Sequence, residues 1–170
     1  VMQTEANIER IAAEAALDLA DDGVVYAEVR FAPELHVHNG LTLEAVVNAV
    51  TTGFRRGERE AAVAGKSVLV NAILCAMRTE QRSLEVVQLI DRMRDYDDKV
   101  VAFDLAGAET GWPPSLHAAA LAFARQRHVN VTIHASEPPD LELIDDALQH
   151  GAHRIGHGVR LRSDITTRSD

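Results

Sequence analysis

The chain has 170 residues, 46% of them hydrophobic, enough for one globular core. Its formal net charge of -9 and pI near 5.3 exclude a nucleic-acid backbone or an anionic membrane surface as the main partner, because both repel an acidic protein, and favour a neutral or cationic small molecule. Its single cysteine, Cys75, excludes an intrachain disulfide and points to a reducing, cytoplasmic compartment, while no run approaches the roughly 18 apolar residues of a membrane span and no basic-then-apolar leader is found.

Helical spacing of Ile8, Ile11, Ala12, Ala15 and Leu19, with Thr4 placed as cap and Gly23 just past the end, predicts an amphipathic helix over residues 4–20. Residues 24–31 are rich in β-formers and predict a strand that Pro33 closes. After a loop through Asn39-Gly40, Thr42 and Gly65 bracket a helix over residues 42–64, and residues 66–77 read as a buried strand. The alternation continues with a helix over 83–96, a strand over 100–105, a helix over 115–127 and a strand over 130–134. A helix over 140–150, closed by Gly151, and a strand over 154–156 complete it, before a polar tail from residue 162.

Strands that are mostly continuous apolar runs, alternating with helices, imply a parallel sheet covered by helices, so the fold class is α/β. An open doubly wound sheet and a closed eight-stranded barrel both obey that alternation. No Gly-x-Gly-x-x-Gly follows the first strand and no Gly-Lys-Ser/Thr phosphate loop occurs, which weakens the open sheet. Reactive side chains at successive strand ends favour a partial (β/α)8 TIM barrel of about five βα units. With no linker or low-complexity segment, residues 1–170 read as a single domain.

The chemistry is concentrated in Val131-Thr132-Ile133-His134-Ala135-Ser136-Glu137 and His153-Arg154-Ile155-Gly156-His157-Gly158. Strand alternation sets His134 on the face opposite Val131 and Ile133, towards the barrel mouth, where a neutral imidazole is a good zinc ligand. Glu137 follows the strand end in a loop stiffened by Pro138 and Pro139, and a partly desolvated carboxyl there suits a general acid. His157, flanked by glycines that let backbone approach a ligand, suits a general base. Taken singly, each has a plain structural reading, a hydrogen-bonded histidine or a solvated glutamate, whereas one ordered site accounts for all three. Cys75, inside an apolar run, reads as a buried structural thiol.

Three segments, Phe103-Asp104-Leu105-Ala106-Gly107-Ala108-Glu109, Thr132-Ile133-His134-Ala135-Ser136-Glu137 and Arg154-Ile155-Gly156-His157-Gly158, resemble the adenosine deaminase family in order and separation. Tyr26-Ala27-Glu28-Val29-Arg30-Phe31-Ala32-Pro33 looks like that family's second barrel strand. The resemblance implies a hydrolase acting on cyclic amidines, which deaminates adenosine or deoxyadenosine to inosine and ammonia with one Zn2+ per complete site. It implies His134 as a metal ligand, Glu137 as the acid that protonates purine N1 and His157 as the base that takes the proton of the attacking water. It further implies that Gly107 offers its backbone N–H to purine N3, where the residues alone suggest only a turn glycine. The implied partner is a small purine nucleoside, with neither nucleic acid nor membrane. The cytidine-type zinc deaminases are excluded, because one cysteine cannot supply their two thiolates.

Two departures stand out. Ser136 occupies the glycine position of the family pattern His-Ala-Gly-Glu, and its Cβ strains the turn if φ there is positive. The family's His-x-His pair after the first strand and its aspartate ligand near the last are not in this sequence. His36-Val37-His38 imitates the pair, but it follows the strand that matches the family's second and lies in a surface loop. The strands therefore correspond to the second through sixth of the family, leaving sheet edges for self-association or for the remaining segments. With one zinc ligand of the implied set, the isolated chain is expected to be inactive. The alternatives are a non-catalytic purine-binding or structural barrel fragment, and a deaminase of adenine or an adenine nucleotide.

Overall fold

The helical and strand periodicities are realised in a computed structural model that describes residues 2–138 and 142–162. The described residues form five α-helices and five strands, and the chain divides into two compact units, residues 1–74 with 92–101, and residues 75–91 with 102–170.

In the first unit, α1 (Glu5–Asp21) and α2 (Leu43–Val63) begin at the expected caps. Thr4 accepts the Asn7 N–H at 3.3 Å and Thr42 that of Ala45 at 3.1 Å. α1 buries Ile8, Ala12, Ala13, Ala16 and Ala20. The two helices approach closely because position 53 of α2 is glycine, where a Cβ would stand 2.4 Å from the Glu9 carbonyl oxygen. Strand β1 (Tyr26–Phe31) pairs in parallel with β2 (Leu69–Met77), from Tyr26 opposite Leu69 to Phe31 opposite Leu74. Both strands start two or three residues later than the sequence suggests.

Helix α3 (Ser83–Met93) ends three residues before its expected limit. The chain turns after Met93 and carries Asp97 onto α2, where its buried carboxylate accepts from Thr51 Oγ1 at 2.7 Å, Arg55 Nη2 at 2.6 Å and the Lys99 N–H at 3.0 Å. Burial pushes the Asp97 carboxyl up, but the bonds from Arg55, Thr51 and Lys99 outweigh it and hold the group below its usual range. The His36-Val37-His38 imitation is spent locally. His36 closes a short 3-10 turn (Pro33–His36) with Nδ1 at 3.0 Å from the Met2 carbonyl, and the His38 N–H donates to Gln3 Oε1 at 2.9 Å.

In the second unit, β3 (Val100–Ala106), β4 (Asn130–Ala135) and β5 (Arg154–His157) pair in parallel, with Asp104 opposite Thr132 and His134 opposite Gly156. The expected helix over 115–127 becomes a 3-10 turn (Pro114–His117) followed by α4 (Ala118–Gln126), since two consecutive prolines delay the start and the Ser115 N–H is taken by Asp146 Oδ2 at 2.8 Å. α5 (Glu142–Gln149) follows β4; the expected start of this helix at residue 140 and most of the polar tail lie outside the described residues.

The strands are ordered β1-β2-β3-β4-β5, and helices intervene along the chain. Parallel strands in chain order are the succession of a (β/α)8 barrel, so the fold class is α/β and the chain is a partial barrel of five strands. No described helix is long and apolar enough to cross a membrane.

Candidate active site

His134 on β4 and His157 on β5 lie at the C-terminal ends of adjacent strands, and Asp104 lies near the end of β3. In β3, Phe103 and Leu105 are buried apolar residues, and Asp104 between them is fully buried. A buried carboxylate needs partners, and Asp104 Oδ2 lies 2.8 Å from His134 Nδ1 on β4 and 3.5 Å from the Cys75 thiol of β2. With Nδ1–H donated to Asp104, the His134 ring carries its lone pair on Nε2, the tautomer that ligates a metal.

The end of β4 is held a second time from the other side. Arg78, just past β2 and 1% exposed, donates through Nη2 to the His134 carbonyl and through Nη1 to the Trp112 carbonyl at 2.8 Å. Burial pushes its guanidinium pKa down, and the carboxylates of Glu109 and Asp104 oppose that shift. Beneath it His117 places Nδ1 at 2.9 Å from Ser83 Oγ and Nε2 at 3.1 Å from the Arg78 carbonyl, with its pKa lowered by burial.

His157 ends β5 with φ +63°, a left-handed conformation. Its ring meets that of His134 edge to face, the centroids 5.0 Å apart and the planes at 62°. Glu137 lies in the loop after β4 with Oε2 at 4.0 Å from His157 Nε2. The structure thus brings His134, Glu137 and His157 together. It does not desolvate Glu137 as the sequence reading expects, since that side chain is 68% exposed.

Gly107 follows β3 with φ +94°, a conformation that favours glycine; a Cβ there would lie 2.9 Å from Met77 Cε, the movable end of a flexible side chain. Two residues on, Glu109 is buried with neither carboxylate oxygen hydrogen-bonded among the described residues. It joins Glu137 and His157 in a cluster whose ligand atoms lie within 4.8 Å of one another.

Sequence reasoning missed Asp104, Arg78 and Glu109. A signal was present for Asp104, a charge inside an otherwise apolar strand. None existed for Arg78, whose two acceptors are backbone carbonyls distant in sequence.

Comparisons with known proteins bear on the family and the fold. The family model described as adenosine deaminase matches residues 1–168. Adenosine deaminase 1 of Streptomyces coelicolor is 53% identical over 171 residues, covering 100% of this chain and 43% of that protein. The crystal structure of arabidopsis ADAL complexed with GMP superposes with a TM-score of 0.80 at 30% identity, over 92% of this chain and 46% of that one. An amidohydrolase from Burkholderia ambifaria, solved with bound Zn, shares the fold with a TM-score of 0.84 at 24% identity, over 98% of this chain and 46% of that one. The chain spans less than half the length of the curated relatives it matches. With a family match along almost its whole length and the motif residues gathered at the strand ends, the chain belongs to the adenosine deaminase family.

Proposed function

We propose that this chain supplies the acid, the base and one metal ligand of a hydrolase that deaminates a 6-aminopurine nucleoside, adenosine or deoxyadenosine, to the 6-oxo product and ammonia. The observation that carries the reading is the Asp104–His134 pair at 2.8 Å with the His157 ring stacked edge to face against it. A histidine whose second nitrogen is held by a buried carboxylate is the usual form of a metal ligand, so His134 fits the zinc that the family implies. When bound, zinc lowers the pKa of a coordinated water so that hydroxide is available near neutral pH.

The remaining steps belong to side chains. His157 takes the proton of the attacking water, and its flanking glycines leave room for that water and the purine. Glu137 protonates ring nitrogen N1, which makes the adjacent C6 electrophilic. Gly107 offers its backbone N–H to N3, a contact that any side chain at that position would crowd.

In the protein that carries this chain with the other barrel strands, adenosine turnover followed by absorbance should require zinc and should disappear in His134→Ala. Turnover that survives this substitution refutes the reading. A purine nucleotide is the second candidate substrate, favoured by the GMP in the arabidopsis relative; the same assay with adenosine and its 5′-monophosphate decides between them.

A further inference from the structure

Ser136 stands in a conformation that a serine rarely takes. Its φ is +69°, in the left-handed region, and its side chain is fully buried. The hydroxyl accepts the backbone N–H of Arg160 at 3.3 Å. One residue earlier, the Ala135 carbonyl accepts the Gly158 N–H at 3.2 Å. Ala135, the last residue of β4, and Ser136, which opens the loop that bears Glu137, are thus each bonded to the segment that follows His157, one through backbone and one through this side chain; the Gly158 N–H also lies 2.9 Å from the Gly156 carbonyl. Glycine would relieve the left-handed strain but could not form the second bond.

We propose that Ser136 is a positioning residue: its hydroxyl fixes the register between the Glu137 loop and the His157 segment, so that acid and base are presented to the same substrate. The left-handed backbone at Ser136 places Oγ 3.3 Å from the Arg160 nitrogen, two residues beyond the Gly158–Ala135 backbone bond, so the hydroxyl carries the tie further along that segment. The roles of Glu137 and His157 rest on the function proposed above, whereas the tie itself rests on geometry.

Two substitutions separate strain from tie. Ser136→Ala keeps the Cβ and loses the hydroxyl; Ser136→Gly loses both. In the full chain, loss of one hydrogen bond should make the Arg160 amide exchange roughly three- to tenfold faster in both variants, and the His157 imidazole NMR signals should shift. Ser136→Gly should melt above Ser136→Ala because it also sheds the Cβ strain. In the protein with the remaining barrel strands, both variants should lower kcat several-fold with KM within about twofold.

Unchanged Arg160 exchange in Ser136→Ala would overturn the tie. Faster exchange with unchanged His157 signals and unchanged kcat would overturn the positioning role and leave a purely structural bond. If the unsubstituted protein deaminates no purine, the proposed function fails, while amide exchange and imidazole signals still decide this inference.

Discussion

Replacing Asp104 by asparagine tests the centre of the site, because the change preserves volume and removes only the charge that holds His134. In the native chain the carboxylate is fully buried, and its Oδ2 lies 2.8 Å from His134 Nδ1 and 3.5 Å from the Cys75 thiol. A charge-assisted hydrogen bond contributes about 1.5–3 kcal/mol and a neutral one about 0.5–1.5 kcal/mol, so an amide oxygen in the same place loses about 1–1.5 kcal/mol, near tenfold in an equilibrium. The amide can also turn its NH2 towards Nδ1, which moves the imidazole proton to Nε2 and gives the tautomer that cannot ligate. Together these effects predict zinc binding weakened by about 10- to 100-fold in the protein that carries the whole barrel. Competition with a chromophoric chelator measures that loss. In the chain by itself, 15N NMR of the His134 ring should show a smaller share of the Nδ1–H tautomer. Affinity within twofold of the native protein, with an unchanged tautomer, would refute the argument that Asp104 prepares His134 for a metal.

Two further outcomes follow from neighbouring residues. Burial lowers the His117 pKa below its ordinary 6.5, so the folded state holds this ring neutral while the unfolded chain takes up a proton as pH drops. The sign is therefore a contribution present above about pH 6.5 and lost as pH falls through the folded value; urea unfolding at pH 7.5 and pH 5 should show a fall in stability that is smaller in His117→Gln. Gly107→Ala places a Cβ at φ +94° and 2.9 Å from Met77 Cε; the flexible methionine end can move but the backbone cannot, so about 1–2 kcal/mol of stability should be lost in urea titrations, and a change below about 0.3 kcal/mol would show that the turn relaxes.

The succession of elements was legible because periodicity and caps are local. Thr4 and Thr42 cap the helices that the apolar spacing outlines, and the β-branched runs became strands with edges displaced by two or three residues. The misplaced ends have tertiary causes: Asp97 draws the chain out of α3, and Asp146 takes the Ser115 N–H before α4 begins. The placement of His134 and His157 at strand ends was legible. Their relation to Asp104 was not, since the pairing of β3 with β4 that brings Asp104 beside His134 depends on register, which no single segment encodes. The suspicion attached to Ser136 was a conditional statement about φ, and the structure supplies the condition at +69°.

Three buried charged groups lie near the strand ends that carry His134 and His157. Arg78 and Glu109 are nearly inaccessible and Asp104 is fully so, although burying ions costs more stability than an apolar core of the same volume. Each lies at a strand end: Asp104 against the ring of His134, Arg78 against its carbonyl, and Glu109 beside Glu137 and His157. An apolar residue at 78 could not donate to the two carbonyls that Arg78 joins, that of His134 on β4 and that of Trp112 in the segment between β3 and the Pro114–His117 turn. Asp104 and Arg78 hold the end of β4 at His134, whereas His157 ends β5 and Glu137 lies in the loop that follows β4. A substitution at Arg78 should therefore disturb the geometry around His134 even though its guanidinium reaches that residue only through the backbone.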